Sequence, residues 1–328
     1  MANYYTPSTF HVVNPSNPKI LIVGAGLGGL TLAILLEKAC IDYEIYERST
    51  SFKPQGCAIS LAPSIMPLLD QLGLLEDLKS ISKDVSAGFL YKESSNGETL
   101  DIVIKTDFSE LKEHSGYYPA IMARSDLHSL LLSQVPLHKI HLGKRILSIS
   151  QDDERGVIIW TSDGMTHEGD ILVGCDGTYS GVRQALFKLM SNKGLLPASD
   201  EEDMKVCHMS VHGTTHSIDP RIVPYAKDGF SRIDGVIGHN KPQSWRTFEV
   251  PGNRICWRVD VQLPSKSFKQ SEAFRNTDWG SESCGSIDNE MRSFKLPLGV
   301  NGSYITVGDL INATDKENIT KIMMGEKL

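Results

Sequence analysis

Basic runs are absent from this chain of 328 residues. No stretch of consecutive Lys or Arg is longer than two residues, and the formal net charge is −7 at pH 7. Proteins that bind nucleic acids carry clustered basic residues that neutralise phosphates. We therefore expect neither DNA nor RNA as a partner. The sequence also has no internal repeat and no low-complexity tract.

Closely spaced cysteines are also missing. The six cysteines are scattered, no CxxC motif occurs, and they lie at positions 40, 57, 175, 207, 256 and 284. Structural zinc sites and small disulfide scaffolds depend on short cysteine spacings. The pattern predicts no metal site and no disulfide framework, and it indicates a reducing compartment, with the cytoplasm as the expected location.

Long apolar runs are scarce. The longest charge-free stretch, Ile20–Leu36, has 17 residues and contains several glycines, which places it at the lower limit for a membrane-spanning helix. Residues 1–18 are polar, contain Pro and Ser, and have no charged segment of the kind that begins a signal peptide. We expect residues 1–18 to be disordered and the chain to contain no membrane segment.

The most informative segment of the sequence is residues 19–48. A short apolar run, Ile20–Val23, leads into the glycine-rich stretch GAGLGG, and an apolar helical segment then extends to Lys38. A second strand-like run, Tyr43–Tyr46, ends at the acidic residue Glu47. This succession of strand, glycine-rich turn, helix, strand and acid is the βαβ fingerprint of dinucleotide binding.

Each element of this motif has a physical role. Gly24 permits the tight turn, Gly26 allows a pyrophosphate to approach the backbone, and Gly29 lets the helix pack closely on the strand. The helix N-terminus offers unpaired N–H groups to phosphates. Glu47 lies where an acidic side chain accepts hydrogen bonds from a ribose.

A second candidate site is Asp176-Gly177. It follows the apolar run Asp170–Val173 and precedes Ser180-Gly181-Val182-Arg183 at the start of a predicted helix. Such a turn can direct backbone N–H groups and a carboxylate towards a phosphate-bearing ligand. The alternative is an Asp-Gly turn that only leads into a capped helix. The residues alone leave both interpretations open.

The rest of the chain is rich in predicted strands. Asn96-Gly97 indicates a hairpin turn within residues 86–104. Further strands are predicted at 206–215, 230–239, 243–250 and 254–262. Residues 264–292 are polar and are expected to be partly helical. We expect the chain to close with a strand, Tyr304–Val307, and a helix, Lys316–Lys327, capped at Thr314.

Two residue patterns in the predicted strands favour structural roles. His208, His212 and His216 would share one face of a helix, but the β-branched and glycine residues among them favour a strand, where they spread too far apart to bind one metal ion. Trp257 is expected in the core. No Ser/His/Asp arrangement and no paired carboxylates stand out, and we name no catalytic side chain.

Three motifs in order resemble those of the class A flavin-dependent hydroxylases, the p-hydroxybenzoate hydroxylase-like monooxygenases. They are GAGLGG with Glu47-Arg48, the stretch that begins at Arg124 (RSDL), and GCDGTYSGVR. The stretch PQGCAISLAPSIMPLLDQLGLLEDL is similar to fungal FAD-dependent monooxygenases of the meroterpenoid and indole-diterpene type. The resemblance covers residues 19–190.

The resemblance implies an α/β fold, with a Rossmann-like FAD-binding domain and an inserted β-rich substrate domain. The FAD-binding domain would comprise residues 19–84 and 115–190, and the substrate domain residues 85–114 and 205–300. Residues 301–328 would form a returning strand and helix.

The resemblance also implies the cofactor and its site. FAD would lie along Gly24, Gly26 and Gly29, with its ribose on Glu47 and its pyrophosphate region contacted by Arg124. Asp176 and Gly177 would serve the flavin and the passing nicotinamide. Arg48 and Gly56 are assigned to the same cofactor site.

The activity implied is that of an NAD(P)H-consuming monooxygenase that hydroxylates or epoxidises a small organic molecule with molecular oxygen. A flavoprotein reductase or dehydrogenase without oxygen activation is one alternative, and a non-catalytic nucleotide-binding remnant is another. A longer relative could be associated with a membrane.

The sequence departs from the family pattern near its end. Gly308-Asp309 is not followed by the His and the glycine-rich loop that hold the flavin ring in this family. We expect this Gly-Asp pair to be a decoy and the chain to stop before the true motif, as a truncated form. Weak retention of FAD would follow.

Overall fold

The computed structural model describes residues 18–52, 57–152, 156–177, 180–201, 205–224, 229–263, 289–299 and 303–326. Three sequence expectations lie wholly or largely outside these residues. They concern the disordered N-terminus at 1–18, the cofactor residue Gly56, and the polar segment 264–292.

The chain forms eighteen strands within the described residues. They are β1 (Ile20–Val23), β2 (Tyr43–Tyr46), β3 (Ala58–Leu61), β4 (Lys83–Glu93), β5 (Leu100–Asp107), β6 (Ala120–Ala123), β7 (Ile140–His141), β8 (Ile146–Asp152), β9 (Gly156–Thr161), β10 (Thr166–Gly169), β11 (Ile171–Gly174), β12 (Lys205–Thr214), β13 (Phe230–Ile237), β14 (Gln243–Val250), β15 (Arg254–Gln262), β16 (Lys295–Leu296), β17 (Ile305–Thr306) and β18 (Thr320–Glu326).

The α-helices are fewer than the strands. Over the same residues they are α1 (Leu27–Lys38), α2 (Met66–Gln71), α3 (Leu75–Ile81), α4 (Ser109–Ser115), α5 (Arg124–Ser133), α6 (Gly181–Asn192), α7 (Ala198–Glu201), α8 (Asn289–Arg292) and α9 (Val307–Asn312). None of these helices is long and apolar enough to cross a membrane.

The chain divides into two compact units, and unit 1 comprises Met1–Phe52 and His128–Glu201. Its parallel sheet has the strand order β11-β1-β2-β7, and an antiparallel sheet has the order β10-β9-β8. Strand β1 is buried along its whole length because it is flanked by β11 and β2 in parallel register. A continuous apolar run such as ILIV is typical of a strand covered on both faces.

Unit 2 comprises Lys53–Leu127 and Glu202–Leu328. Its main sheet has nine strands, in the order β18-β12-β15-β14-β13-β4-β6-β3, with β5 added beside β4. Trp245 and Trp257 are each 1% exposed and anchor the core beneath this sheet. Trp245 stacks on Phe294 at 4.1 Å between ring centroids, and the indole N–H of Trp257 donates to Thr314 at 2.9 Å. Trp257 is therefore a core residue, as predicted.

The division between the units differs from the expected domain boundaries. Residues 53–84 and 115–127, which the sequence analysis grouped with the cofactor domain, belong to unit 2. The reason is strand pairing, because β3 pairs with β6 and β6 pairs with β4, which joins both to the nine-stranded sheet.

The prediction of a helix at Lys316–Lys327 is wrong. Lys316–Asn318 form a single 3-10 turn, and β18 follows, paired antiparallel with β12. Tertiary pairing with a strand more than 100 residues earlier overrides the local capping signal. The capping box of this region is instead formed by Thr306 and Asp309. The backbone N–H of Thr306 donates to the carboxylate of Asp309, and the backbone N–H of Asp309 donates to the hydroxyl oxygen of Thr306.

A buried carboxyl group makes the stability of unit 2 depend on pH. Glu249 on β14 is 2% exposed, and within the described part of the chain its Oε1 has no hydrogen-bond partner. Burial, reinforced by nearby Asp234, raises the pKa of Glu249 to about 7 from the ordinary 4.5, although Lys83 and Arg232 oppose the shift. Between these values the folded state holds a proton that the unfolded chain has lost, so stability falls as pH rises from about 4.5 to about 7.

We expect Glu249→Gln to remove this pH dependence. The amide keeps the shape of the side chain but cannot ionise, so the variant should be more stable than the wild type at pH 8 by about 1–3 kcal/mol and nearly equal at pH 4.5. Urea unfolding at several pH values measures the difference. Glu113→Gln, at an exposed glutamate, is the control, and equal pH profiles for wild type and Glu249→Gln would contradict the prediction.

Candidate functional site

The glycine-rich turn lies at the carboxyl end of β1, where three strand ends of unit 1 are tied together. The backbone N–H of Gly24 donates to the carbonyl of Tyr46 at the end of β2, at 2.9 Å. The N–H of Cys175, just beyond β11, donates to the carbonyl of Val23 at 2.7 Å. Ligands of open α/β sheets bind at this end of the strands.

Two positions of this turn require glycine, because any side chain there would clash with the backbone. Gly24 has a φ of +102°, and a Cβ there would lie 2.5 Å from the carbonyl oxygen of Cys175. A Cβ at Gly29 would lie 1.9 Å from the carbonyl oxygen of Gly24. Only glycine allows the turn and helix α1 to approach this closely. The roles predicted for Gly24 and Gly29 agree with this geometry.

Gly26 has a different environment. It is the N-cap of α1, it provides no side-chain cap, and a Cβ built on it would meet nothing within 4 Å. The first turn of the twelve-residue helix contains no acidic residue. The positive end of the helix dipole therefore faces open space, which suits an anionic group such as a pyrophosphate.

Glu47 supports the turn as well as bordering it. Its Oε2 accepts a hydrogen bond from the N–H of Ala25 at 2.9 Å, and its Oε1 accepts one from the N–H of Ser49 at 2.8 Å. Each carboxylate oxygen has a second lone pair, so the group can still accept from ribose hydroxyls. Arg48, the next residue, is exposed.

His128 is a member of this site that sequence reasoning missed. Its Nε2 lies 2.9 Å from the carbonyl oxygen of Ala25, and because a carbonyl only accepts, the imidazole donates. Ala25 is thus held at its N–H by Glu47 and at its carbonyl by His128. A single histidine on a helix gives no sequence signal for a contact with a residue 103 positions earlier.

Asp176 makes the contacts expected of the capped-helix interpretation. Its Oδ2 accepts from the N–H groups of Gly181 at 2.6 Å and Val182 at 3.3 Å, so it helps to fix the start of α6. Its Oδ1 is buried and, within the described part of the chain, has no partner. A buried acceptor without a donor is costly. Gly177 follows with a φ of +84°.

Arg124 belongs to unit 2 and is the first residue of α5. Its backbone N–H donates to the carbonyl of Cys57 at 3.0 Å. Burial lowers the pKa of its guanidinium from an ordinary value of 12.5, and the group remains a cation at neutral pH. The structure thus brings the predicted residues of unit 1 together around one turn, while Arg124 lies in the other unit.

The histidines of β12 lie on a strand, as predicted. His212 is buried, and burial together with the charge of Arg258 lowers its pKa to about 4, so it is neutral at physiological pH. Over the described ranges, no group of three or more His, Cys, Asp or Glu side chains is arranged to hold a metal ion.

A family model matches more than half of the chain. The model described as "FAD binding domain" matches residues 17–217, a range that includes the glycine-rich turn, Glu47, Arg124 and Asp176.

Curated relatives include fungal enzymes. The chain is 29% identical over 259 residues to the FAD-dependent monooxygenase nvfK of Aspergillus novofumigatus, which covers 76% of this chain and 50% of that protein. It is 29% identical over 272 residues to the FAD-dependent monooxygenase olcE of Penicillium canescens, which covers 81% of this chain and 55% of that protein. The chain therefore spans about half the length of these relatives.

Solved structures show the same fold. The structure of Klebsiella pneumoniae HpxO complexed with FAD and uric acid matches with a TM-score of 0.67 and 22% identity, over 96% of this chain and 69% of that one.

The contacts of the glycines lead to a prediction about stability. Gly29→Ala should destabilise the protein by about 2–4 kcal/mol, because its Cβ would clash with the backbone of Gly24. Gly28→Ala is the matched control, since a Cβ there meets nothing within 4 Å, and it should be neutral or stabilising by up to about 1 kcal/mol. Thermal and urea unfolding compare the two, and similar stabilities would refute the assigned close approach.

Proposed function

The chain belongs to the FAD-binding-domain family, and from this we propose that it acts as an FAD-dependent monooxygenase. It would use NAD(P)H as reductant and molecular oxygen to hydroxylate or epoxidise a small organic molecule. The observation that carries the proposal is the open N-terminus of α1 at Gly26, with Glu47 at its edge, inside the region matched by the family model.

The residues of unit 1 fit the adenosine and pyrophosphate parts of FAD. Gly26 and the first N–H groups of α1 would receive the pyrophosphate, and Glu47 would accept hydrogen bonds from the ribose. His128 would position rather than touch the cofactor, because it holds the carbonyl of Ala25. Oδ1 of Asp176, which has no partner among the described residues, would accept from a polar group of the bound molecule.

The other members of the site remain proposals. Arg124 and Arg48 would contribute positive charge towards the phosphates, and Gly56 and Gly177 would allow the backbone to approach the cofactor. When bound, FAD supplies the redox chemistry and the activation of oxygen. The task of the protein is then to bind, to orient and to exclude water. The absence of a nucleophile-base pattern in the sequence agrees with this division.

A flavoprotein reductase without oxygen activation is the competing function. The curated relatives above are named monooxygenases, which favours oxygen transfer. The two functions are separated by measuring NAD(P)H oxidation together with oxygen uptake.

Gly26→Ala tests the proposed binding site directly. The added methyl would lie where the pyrophosphate is proposed, so we expect the affinities for FAD and ADP to fall about tenfold or more, with little change in stability. Fluorescence titration with FAD and calorimetry with ADP measure both. Gly229→Ala in unit 2 is the control, because a Cβ there also meets nothing within 4 Å. Unchanged FAD and ADP affinities in Gly26→Ala would remove this helix end from the site.

Glu47→Ala tests the ribose contact. Loss of a charge-assisted acceptor should weaken FAD and ADP binding by about 1–3 kcal/mol. Riboflavin, which has no adenosine, should bind to the variant and to the wild type equally well. If the affinity for riboflavin falls as much as that for FAD, Glu47 acts on the whole site and not on the ribose.

A further inference from the structure

One face of the nine-stranded sheet of unit 2 carries exposed apolar side chains on β5 and β13. A groove of about 490 Å³ runs across β4, β5, β13 and β14 on this face. Its floor is formed where Gly88 and Gly235 lack side chains, and its walls are Leu90, Ile104, Ile233 and Ile237. The strand register places these residues on one face, since Gly235 pairs with Leu90, Leu90 with Ile104, and Ile233 with Gly88.

The walls of the groove are apolar and open to solvent. Ile104 is 54% exposed and Ile237 is 44% exposed. Contiguous exposed apolar side chains are uncommon on proteins unless a ligand or partner covers them. The volume is within the usual range for the binding site of a small organic molecule.

One end of the groove carries a half-exposed arginine, Arg246. Arg246 on β14 pairs with Gly235 on β13 and with Arg258 on β15. Its side chain is 46% exposed. Its Nη2 is 3.7 Å from Oδ2 of Asp260, a loose contact. Asp260 is held more tightly by Arg258, at 2.6 Å, and by Ser210, at 2.7 Å.

Arg246 and Arg258 both contact Asp260, and neighbouring His212 is neutral at physiological pH. Arg246, the more exposed and more loosely paired of the two, lines the groove. A guanidinium in this position can bind an anionic group with two parallel hydrogen bonds.

We propose that this groove binds an amphipathic organic acid, with an apolar body on the isoleucine and leucine walls and a single anionic group at Arg246. The claim that this organic acid is the substrate rests on the proposed monooxygenase function. The claim that the groove is a binding site rests on the residues of unit 2 alone. Small polar molecules and molecules with several charges do not fit the lining.

A pair of fluorescent probes tests the proposal in the full chain. The probes are 4-(1-pyrenyl)butyric acid and 4-(1-pyrenyl)butanol, which share an apolar body and differ in the anionic group. We expect the wild type to bind the acid at least tenfold more tightly than the alcohol. Arg246→Met should abolish this preference, whereas Arg246→Lys should retain only part of it, because an ammonium group cannot form the two parallel hydrogen bonds. Arg221→Met, at an arginine with a 90% exposed side chain, is the control and should behave as the wild type.

The apolar part of the groove is tested separately. Gly235→Leu places a side chain on the floor, where even a Cβ would lie 3.4 Å from Leu90, and should weaken both probes more than tenfold. The proposal is overturned if the acid and the alcohol bind equally to the wild type, if Arg246→Met keeps the preference, or if Gly235→Leu binds as the wild type does. It is also overturned if ultracentrifugation shows a dimer whose formation excludes both probes, because a second copy would then be the occupant.

Titration of the same preparations with FAD distinguishes the two proposals. Probe binding without FAD binding would leave the groove assigned and refute the proposed function. FAD binding without selective probe binding would refute the groove as a binding site and leave the proposed function standing.

Discussion

The close approach of helix α1 to the end of β1 is the constraint on which the candidate site depends. Gly29 packs on the carbonyl of Gly24, and Gly24 packs on that of Cys175, so two successive backbone contacts join the turn, the helix and the start of the Asp176 turn. A methyl group at either glycine would separate these elements. With them in place, the helix end at Gly26 faces open space without any side chain of its own.

The part of the site that could be predicted is the part that is local in sequence. Strand β1, helix α1, strand β2 and Glu47 follow one another within about thirty residues, and each has a residue type that its geometry requires. The strands of unit 2 were also predictable, because alternation along β14 separates the buried Trp245 and Thr247 from the exposed Arg246. In both cases local chemistry and tertiary packing favour the same structure.

What could not be predicted depends on contacts between distant residues. The end of the chain has a local signal for a helix, but its partner β12 makes it strand β18. His128 holds Ala25 from 103 positions away, and the pairing of β3 with β6 and of β6 with β4 moves residues 53–84 into unit 2. Asp176 was ambiguous because the sequence shows a carboxylate but not that its Oδ2 accepts from the N–H of Gly181 at the start of α6.

The sheet of unit 2 allows its two faces to change independently. Along β14, Trp245, Thr247 and Glu249 point into the buried layer, while Ser244, Arg246 and Phe248 point to the face that carries the groove. Because the side-chain period of a strand is two, a substitution at Arg246 or Gly235 alters the groove without entering the tryptophan core. In unit 1, by contrast, Gly24 and Gly29 tolerate no side chain. Substitutions on the open face of the sheet are therefore expected to be tolerated, whereas the glycine-rich turn is expected to stay fixed.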